Sequence, residues 1–177
     1  MNFEIIHLDD LSAAQIKANQ ALADLVYPPN PSAPKTKPEI IWAETMWRIF
    51  VWEKGELVAH VGTQTRNALH NDRPILIGGF GAVKTHPAAR GKGYARAGLA
   101  HAIDFLTNEQ HVDFSLLVCR DPLIPFYQKL GWRLFEGEML VDQPSGKQPF
   151  TFNRPMVIAG KDQPPLNGTI DLCGLPW

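Results

Sequence analysis

The chain is poor in cysteine: it has two among 177 residues, Cys119 and Cys173, far apart and outside any CxxC spacing. That excludes a disulfide framework, and the two read as free thiols of a reducing cytoplasm. Long hydrophobic runs are missing. None approaches the roughly 18–20 residues of a membrane span, and Met1-Asn2-Phe3-Glu4 lacks the basic flank and apolar stretch of a signal peptide. No membrane partner is expected. A surplus of one charge is missing too. Lys and Arg number 17 against 18 Asp and Glu, a net charge of −1, so no nucleic-acid partner is expected. The six histidines show neither HxxxH nor HxxEH spacing, so no metal is expected. Internal repeats and low-complexity tracts are absent.

What is present starts with an apolar fraction of 45% and a charged fraction of 20%, which rule out disorder as the main state. At this length a single domain over 1–177 is expected, burying roughly 70% of its unfolded surface. Five Trp and fifteen Pro stand out, the prolines clustering at 28–38 and from 144 onward.

Phe3–Leu8 reads as a short strand. Ser12 with Gln15 three residues on is a capping-box pattern, and Ala14, Ala18, Ala21, Leu22 and Leu25 recur at helical spacing. The pattern predicts a helix over 12–26. Prolines forbid regular structure at 28–38, and 39–45 is expected to form a short second helix. Trp47–Glu53 and Leu57–Arg66 flank Lys54-Gly55 as a hairpin. Asn67–Pro74 reads as a polar loop and Ile75–Lys84 as a strand. Gly78, Gly79 and Gly81 interrupt it, and glycine inside a strand marks a bulge or the close approach of another backbone. A long helix follows Gly93, with Ala95, Leu99, Ala102, Ile103 and Leu106 on its buried face. Then come a strand at Val112–Cys119 and a proline-marked helix at Phe126–Leu130, closed by Gly131. Trp132–Val141 and Phe150–Ile158 are the last strands, the second an edge or bulged strand because of Pro155. This order predicts an α+β (mixed α/β) fold with one central sheet flanked by helices.

The most informative stretch runs from Val83 to Ala95, where a strand leads through Arg90-Gly91-Lys92-Gly93 into a helix. A helix start offers unpaired N–H groups and a positive dipole end. Glycines let an anion approach the backbone, and Arg90 and Lys92 add charge. The pattern reads as a pyrophosphate seat. It is not a P-loop, since no Gly-Lys-Ser/Thr follows, nor a Gly-x-Gly-x-x-Gly dinucleotide turn.

Arg90-Gly91-Lys92-Gly93-Tyr94-Ala95 resembles the Gln/Arg-x-x-Gly-x-Gly/Ala motif of the GNAT acyltransferase superfamily. Phe126-Tyr127-Gln128-Lys129-Leu130-Gly131-Trp132 is similar to that family's Phe-Tyr-Glu-Lys-Leu-Gly-Phe segment. Both stand in family order with a strand between them. The resemblance implies a mostly antiparallel sheet, an acyl-CoA co-substrate (acetyl-CoA or another acyl-CoA) and a small-molecule amine acceptor. It implies pantetheine pairing along Ala82, Val83 and Lys84. Pyrophosphate would rest on the amides from Gly91 to Ala95, with Arg90, Lys92 and Tyr94 in the same turn. It gives Tyr127 the task of protonating the leaving thiolate, and a homodimer is a common assembly in such proteins.

Many of those relatives carry a carboxylate on the fourth strand, and Ile77-Gly78-Gly79-Phe80-Gly81 has none. His86, beside the glycine turn, is the catalytic candidate for the base, with His60 and Glu44 as further candidates. The tail over 159–177 is expected on or near the acceptor cleft. Its end is similar to that of aminoglycoside 2′-N-acetyltransferases, which implies Asp171 and the Trp177 carboxylate as acceptor contacts. Leu175 stands where those enzymes carry an acid. The same residues equally fit a tail docked by Leu175 and Trp177 on an apolar patch. Trp42, Trp47 and Trp52 fit core and hairpin packing as well as a cleft wall. A non-catalytic acyl-CoA-binding module or sensor is the alternative from another class.

Overall fold

The computed structural model describes residues 1–28 and 40–177. Its strands are β1 (Asn2–His7), β2 (Trp47–Glu53), β3 (Glu56–His70), β4 (Arg73–Thr85), β5 (Phe114–Cys119), β6 (Arg133–Leu134), β7 (Glu138–Gln143), β8 (Gly146–Pro149), β9 (Arg154–Ala159) and β10 (Thr169–Asp171). The helices are α1 (Ala13–Val26), α2 (Tyr94–Asp104) and α3 (Ile124–Gln128). Among the described residues no helix is long and apolar enough to cross a membrane.

The strands form one mixed sheet in the order β6-β9-β5-β4-β3-β10-β7-β8. Long β3 carries β2 on its first half and β10 near its end, and β1 pairs with β2. The pairs β4–β5 and β10–β7 are parallel, and the other described pairs are antiparallel. This is a large mostly antiparallel sheet with a few helices against it, the architecture that the resemblance implies.

Alternation along β2 and β3 sorts the two faces. Ile49 and Val61 join Phe80, Leu99, Ala102 and Leu106 in a core beneath α2. Phe50 turns the other way and packs with Leu22 of α1 and Leu57. Each such fully buried aliphatic or aromatic side chain contributes roughly 1.5–3 kcal/mol. Gly98 lets α2 lie close to the sheet: a Cβ there would sit 3.1 Å from Val51 and 3.3 Å from Val61. The start of α1 is fixed by the expected capping box, with Ser12 N donating to Gln15 Oε1 (2.9 Å) and Gln15 N donating to Ser12 Oγ (3.3 Å).

Several expectations are corrected. Asn67–Pro74 is not a loop, because β3 runs to His70 and β4 starts at Arg73. Only Asn71 (φ +48°) and Asp72 (φ +62°) turn the chain. Two left-handed residues close a tight hairpin, and Asn and Asp tolerate that geometry, so polarity here signals exposed strand ends. Trp132–Val141 is split, because Phe135 N donates to Pro155 O and Glu136 N to Leu166 O. The strand expected from Phe150 starts at Arg154 and lies inside the sheet, between β5 and β6. Pro155 is tolerated because its carbonyl, and hence its missing N–H, points toward β6, whose pairing ends at Leu134↔Met156. Residues 40–45 are not helical. The proline run from 29 and Glu39 lie outside the described residues. The tail adds β10, three residues too short to show a period.

Candidate active site

β4 and β5 pair only from Ile77↔Phe114 to Phe80↔Leu117, yet both strands run on. They therefore part and leave a split. A bulge on β4 lies at the opening. Gly62 faces Gly81 and His60 faces Lys84, so Ala82 and Val83 stand opposite Val61 alone. Ala82 has φ +49°, rare for a residue with a Cβ. An extra residue on one strand bends it away from its neighbour.

On the α1 face of the split lies a cleft of about 490 Å³. Its floor holds Arg48, His60, Gly81 and Lys84, and Asn19, Tyr27, Trp42 and Trp177 stand at its walls. Register explains the floor. Arg48, Gly62 and Gly81 form one row across β2, β3 and β4, and Phe50, His60 and Lys84 form the next on the same face. The two glycines beside Arg48 carry no side chains, and Thr45 folds over Gly62 while the Trp177 main chain lies over Gly81.

The floor is basic. Arg48 is buried, donates from Nη2 to Glu44 Oε1 (2.9 Å), and holds Thr45 through its carbonyl and hydroxyl oxygens. Lys84 is 7% exposed, and its Nζ donates to Asn19 Oδ1 (2.7 Å). Burial, then Arg48, lowers the Lys84 pKa to about 8. His60 is 1% exposed. Its Nδ1 donates to Ala82 O (2.7 Å), since a carbonyl only accepts. Its Nε2 therefore carries the lone pair, buried and without a partner among the described residues. Burial, then Lys84, lowers its pKa to about 3, so His60 is neutral at working pH.

The Lys84 shift has a sign that can be measured. Between its folded pKa of about 8 and its ordinary value of 10.5, the folded state binds fewer protons than the unfolded chain. Stability contributed by this group therefore rises with pH through that window, by up to about 1.4 kcal/mol per pH unit. Thermal melts from pH 8 to 9.5 should show wild type gaining on Lys84→Met. Parallel curves would mean that Lys84 ionises normally.

The glycine turn lies at the start of α2. His86 is half-buried, and its Nδ1 accepts the N–H of Ala88 (3.1 Å), closing a turn at Pro87–Ala89. Gly91 (φ +76°) and Gly93 (φ +84°) are left-handed, and a Cβ on either would meet nothing within 4 Å. Geometry demands glycine there and the space beside it is open, as an anion seat requires. The first intrahelical bond is Ala97 N to Gly93 O (2.9 Å), so the N–H groups of Tyr94, Ala95 and Arg96 precede the helical ladder. Arg90 and Lys92 are exposed beside them. The Tyr94 side chain packs on the Val51, Val58 and Ala89 cluster.

The remaining expected residues scatter. Tyr127 is buried among Phe80, Cys119, Trp132 and Met156, and does not line the cleft. Burial, with Cys119 and Tyr27 adding, pushes its phenol above the ordinary range. His86 does not line the cleft either, and His60 does. Asp171 also lies outside it, bonded to Lys147 Nζ (2.6 Å) and Cys173 N (2.9 Å). Trp177 is a wall. Its Nε1 donates to Leu116 O (3.1 Å), and the Arg66 guanidinium lies 4.8 Å over its ring. A Cβ on Gly79 would overlap that indole, and one on Gly81 would lie 3.2 Å from the Trp177 carboxyl carbon. The backbone approach signalled by the strand glycines is thus the tail. Arg48 was missed, although a lone charge in Trp47-Arg48-Ile49-Phe50-Val51 is a legible sign of a special position.

Residues 8–135 match the family model of the acetyltransferase (GNAT) domain. No curated protein sequence matches the chain. Among solved structures, Escherichia coli ElaA is 20% identical with a TM-score of 0.59, covering 88% of this chain and 97% of its own. An acyl-CoA N-acyltransferase from Pseudomonas aeruginosa is 17% identical with a TM-score of 0.59, covering 89% and 99%. A GNAT family acetyltransferase from Brucella melitensis, solved in complex with acetyl-CoA, is 16% identical with a TM-score of 0.53, covering 96% and 94%. The motif match, the family model and the shared fold agree: the chain belongs to the GNAT acetyltransferase family.

Proposed function

We propose that this protein transfers an acyl group from acyl-CoA, most simply acetyl-CoA, to the amine of a small molecule by direct attack. The observation that carries it is the split between β4 and β5 at Ala82, with an open glycine turn before α2 and a basic cleft on the α1 face. The Brucella relative bound to acetyl-CoA supports the donor. In this proposal Ala82, Val83 and Lys84 offer main-chain groups to pantetheine. Gly91, Gly93 and the amides of Tyr94 and Ala95, with Arg90 and Lys92, take the pyrophosphate. The donor supplies an activated thioester.

The chain's own groups then have separate tasks. His60 Nε2 has a free lone pair and accepts an N–H of the attacking amine. The ring is too weak a base to strip an ammonium, so the amine enters neutral and kcat/KM rises with pH as free amine accumulates. The only lone pair His86 shows in use is on Ala88, which leaves it a shaping role at the turn. A main-chain N–H near Val83 faces the developing oxyanion. Tyr127 is buried outside the cleft lining and held protonated because burial raises its phenol. In this proposal it gives its proton to the leaving thiolate. The proton shed by the acylated nitrogen restores it, so that amine and thioester become amide and CoA thiol.

Tyr127→Phe is expected to lower kcat by about a hundredfold with KM nearly unchanged. Full turnover by that variant at every pH would remove Tyr127 from the mechanism. A polycationic acceptor such as an aminoglycoside suits this cleft poorly. Asp171 is tied to Lys147, and Glu44, the acidic side chain lining the cleft, is tied to Arg48. CoA release with a panel of amines, measured beside donor binding, separates the enzyme from a module that only binds acyl-CoA.

A further inference from the structure

We propose that the acceptor carries an anionic group beside its amine, as an amino acid does, and that Lys84 and Arg48 receive that anion on the cleft floor. The proposal rests on the acyl-transfer reading above and narrows its substrate class.

Three features of the cleft point the same way. The first is charge. Its lining bears two cations, Glu44, which is paired with Arg48 at the rim, and the carboxyl of Trp177, which forms no ion pair with either cation. Lys84 is buried against the neutral oxygen of Asn19, with no carboxylate on it among the described residues. A buried ammonium without a counter-ion is costly, and an anion entering the cleft offsets that cost. The donor's pyrophosphate has its own seat at Gly91 and Gly93, on the chain past the bulge, and does not need Lys84's side chain.

The second feature is room. The cleft of about 490 Å³ is lined by both cations and His60, while Thr45 covers Gly62 and the Trp177 main chain covers Gly81 at its edge. The third is polarity of the opposite kind. His60, opposite Lys84 in the sheet, has its Nδ1–H fixed on Ala82 O and its Nε2 unpartnered. Two cationic donors for an anion and one lone pair for an N–H match a molecule with both groups close together. Tyr27, Trp42 and Trp177 supply apolar walls for the rest of it. The class is therefore an amino acid with an apolar side chain, or a close analogue.

The test is CoA release with the proteinogenic amino acids, their carboxamides and the matching decarboxylated amines, using the full chain, Lys84→Met and Lys84→Arg. Calorimetry with CoA present gives acceptor binding independently of turnover. The best acid should exceed its amide in kcat/KM by roughly ten- to a hundredfold. Lys84→Met should bring that ratio to about one, and Lys84→Arg should retain most of it. An amide or decarboxylated amine as good as the acid overturns the proposal, as does a ratio that Lys84→Met leaves unmoved. A thermal shift with acetyl-CoA separates the two levels. Donor binding with no acid preference ends this proposal and leaves acyl transfer standing. Lys84-dependent binding of an acid without any donor binding overturns the acyl-transfer reading and, with it, the acid's role as acceptor. No binding of either ligand overturns both.

Discussion

Gly93→Asp should weaken acetyl-CoA binding by about a hundredfold while the chain stays folded. Gly93 is left-handed at φ +84°, and a Cβ there meets nothing within 4 Å, so the substitution brings no clash. Strain alone costs roughly 1–2 kcal/mol for an ordinary L residue, and less for Asp or Asn. What Asp adds is a negative charge on a surface meant for pyrophosphate. Juxtaposed like charges cost several kcal/mol, and about 2.7 kcal/mol corresponds to a hundredfold. Gly93→Asn is the control, with the same shape and no charge. It should keep affinity within about fivefold, read by calorimetry. Equal losses for the two variants would mean that charge is irrelevant at this turn and that the seat lies elsewhere.

Gly79→Ala should destabilise the protein by about 3 kcal/mol, a fall of roughly 6–12 °C in Tm for a chain of this size. The added methyl overlaps the Trp177 indole. The strand cannot yield, because Gly79 pairs with Gln64 on one side and Leu116 on the other. The indole must leave, losing its bond to Leu116 O and its stacking under Arg66. Trp177→Ala should cost a similar amount. The double variant should cost no more than Trp177→Ala alone, since the methyl then enters vacated space. Additive losses would show that the ring does not rest on Gly79. The acceptor KM should rise in both single variants, because Trp177 is a wall of the cleft.

The sequence made the backbone machinery legible and the side-chain machinery much less so. Ser12 and Gln15 announced α1 through a local bond pattern. Gly91 and Gly93 announced the turn before α2 because only glycine is easy at those angles. Gly79 and Gly81 announced a close approach, although not by what. The acceptor cleft was harder. Arg48, His60 and Lys84 meet only through register across three strands, and a bulge at Ala82 shifts that register by one residue. No spacing rule in one dimension carries such a shift. Asp171 was placed at the acceptor by resemblance alone, and Lys147, 24 positions away along the chain, holds it instead. Nearness to the turn suggests His86 as a base, and its ring instead closes that turn by accepting the N–H of Ala88. Pro155 misled because the direction of its missing N–H depends on where β6 stops.

The most direct test of donor binding is a thermal-shift titration with acetyl-CoA on wild type and Arg90→Ala, side by side. At 100 times its Kd a ligand stabilises the fold by about 2.7 kcal/mol. Wild type should show a saturating rise in Tm, and Arg90→Ala should need several-fold more acetyl-CoA for the same rise. No rise in wild type at millimolar acetyl-CoA would contradict an acetyl-CoA-dependent transferase.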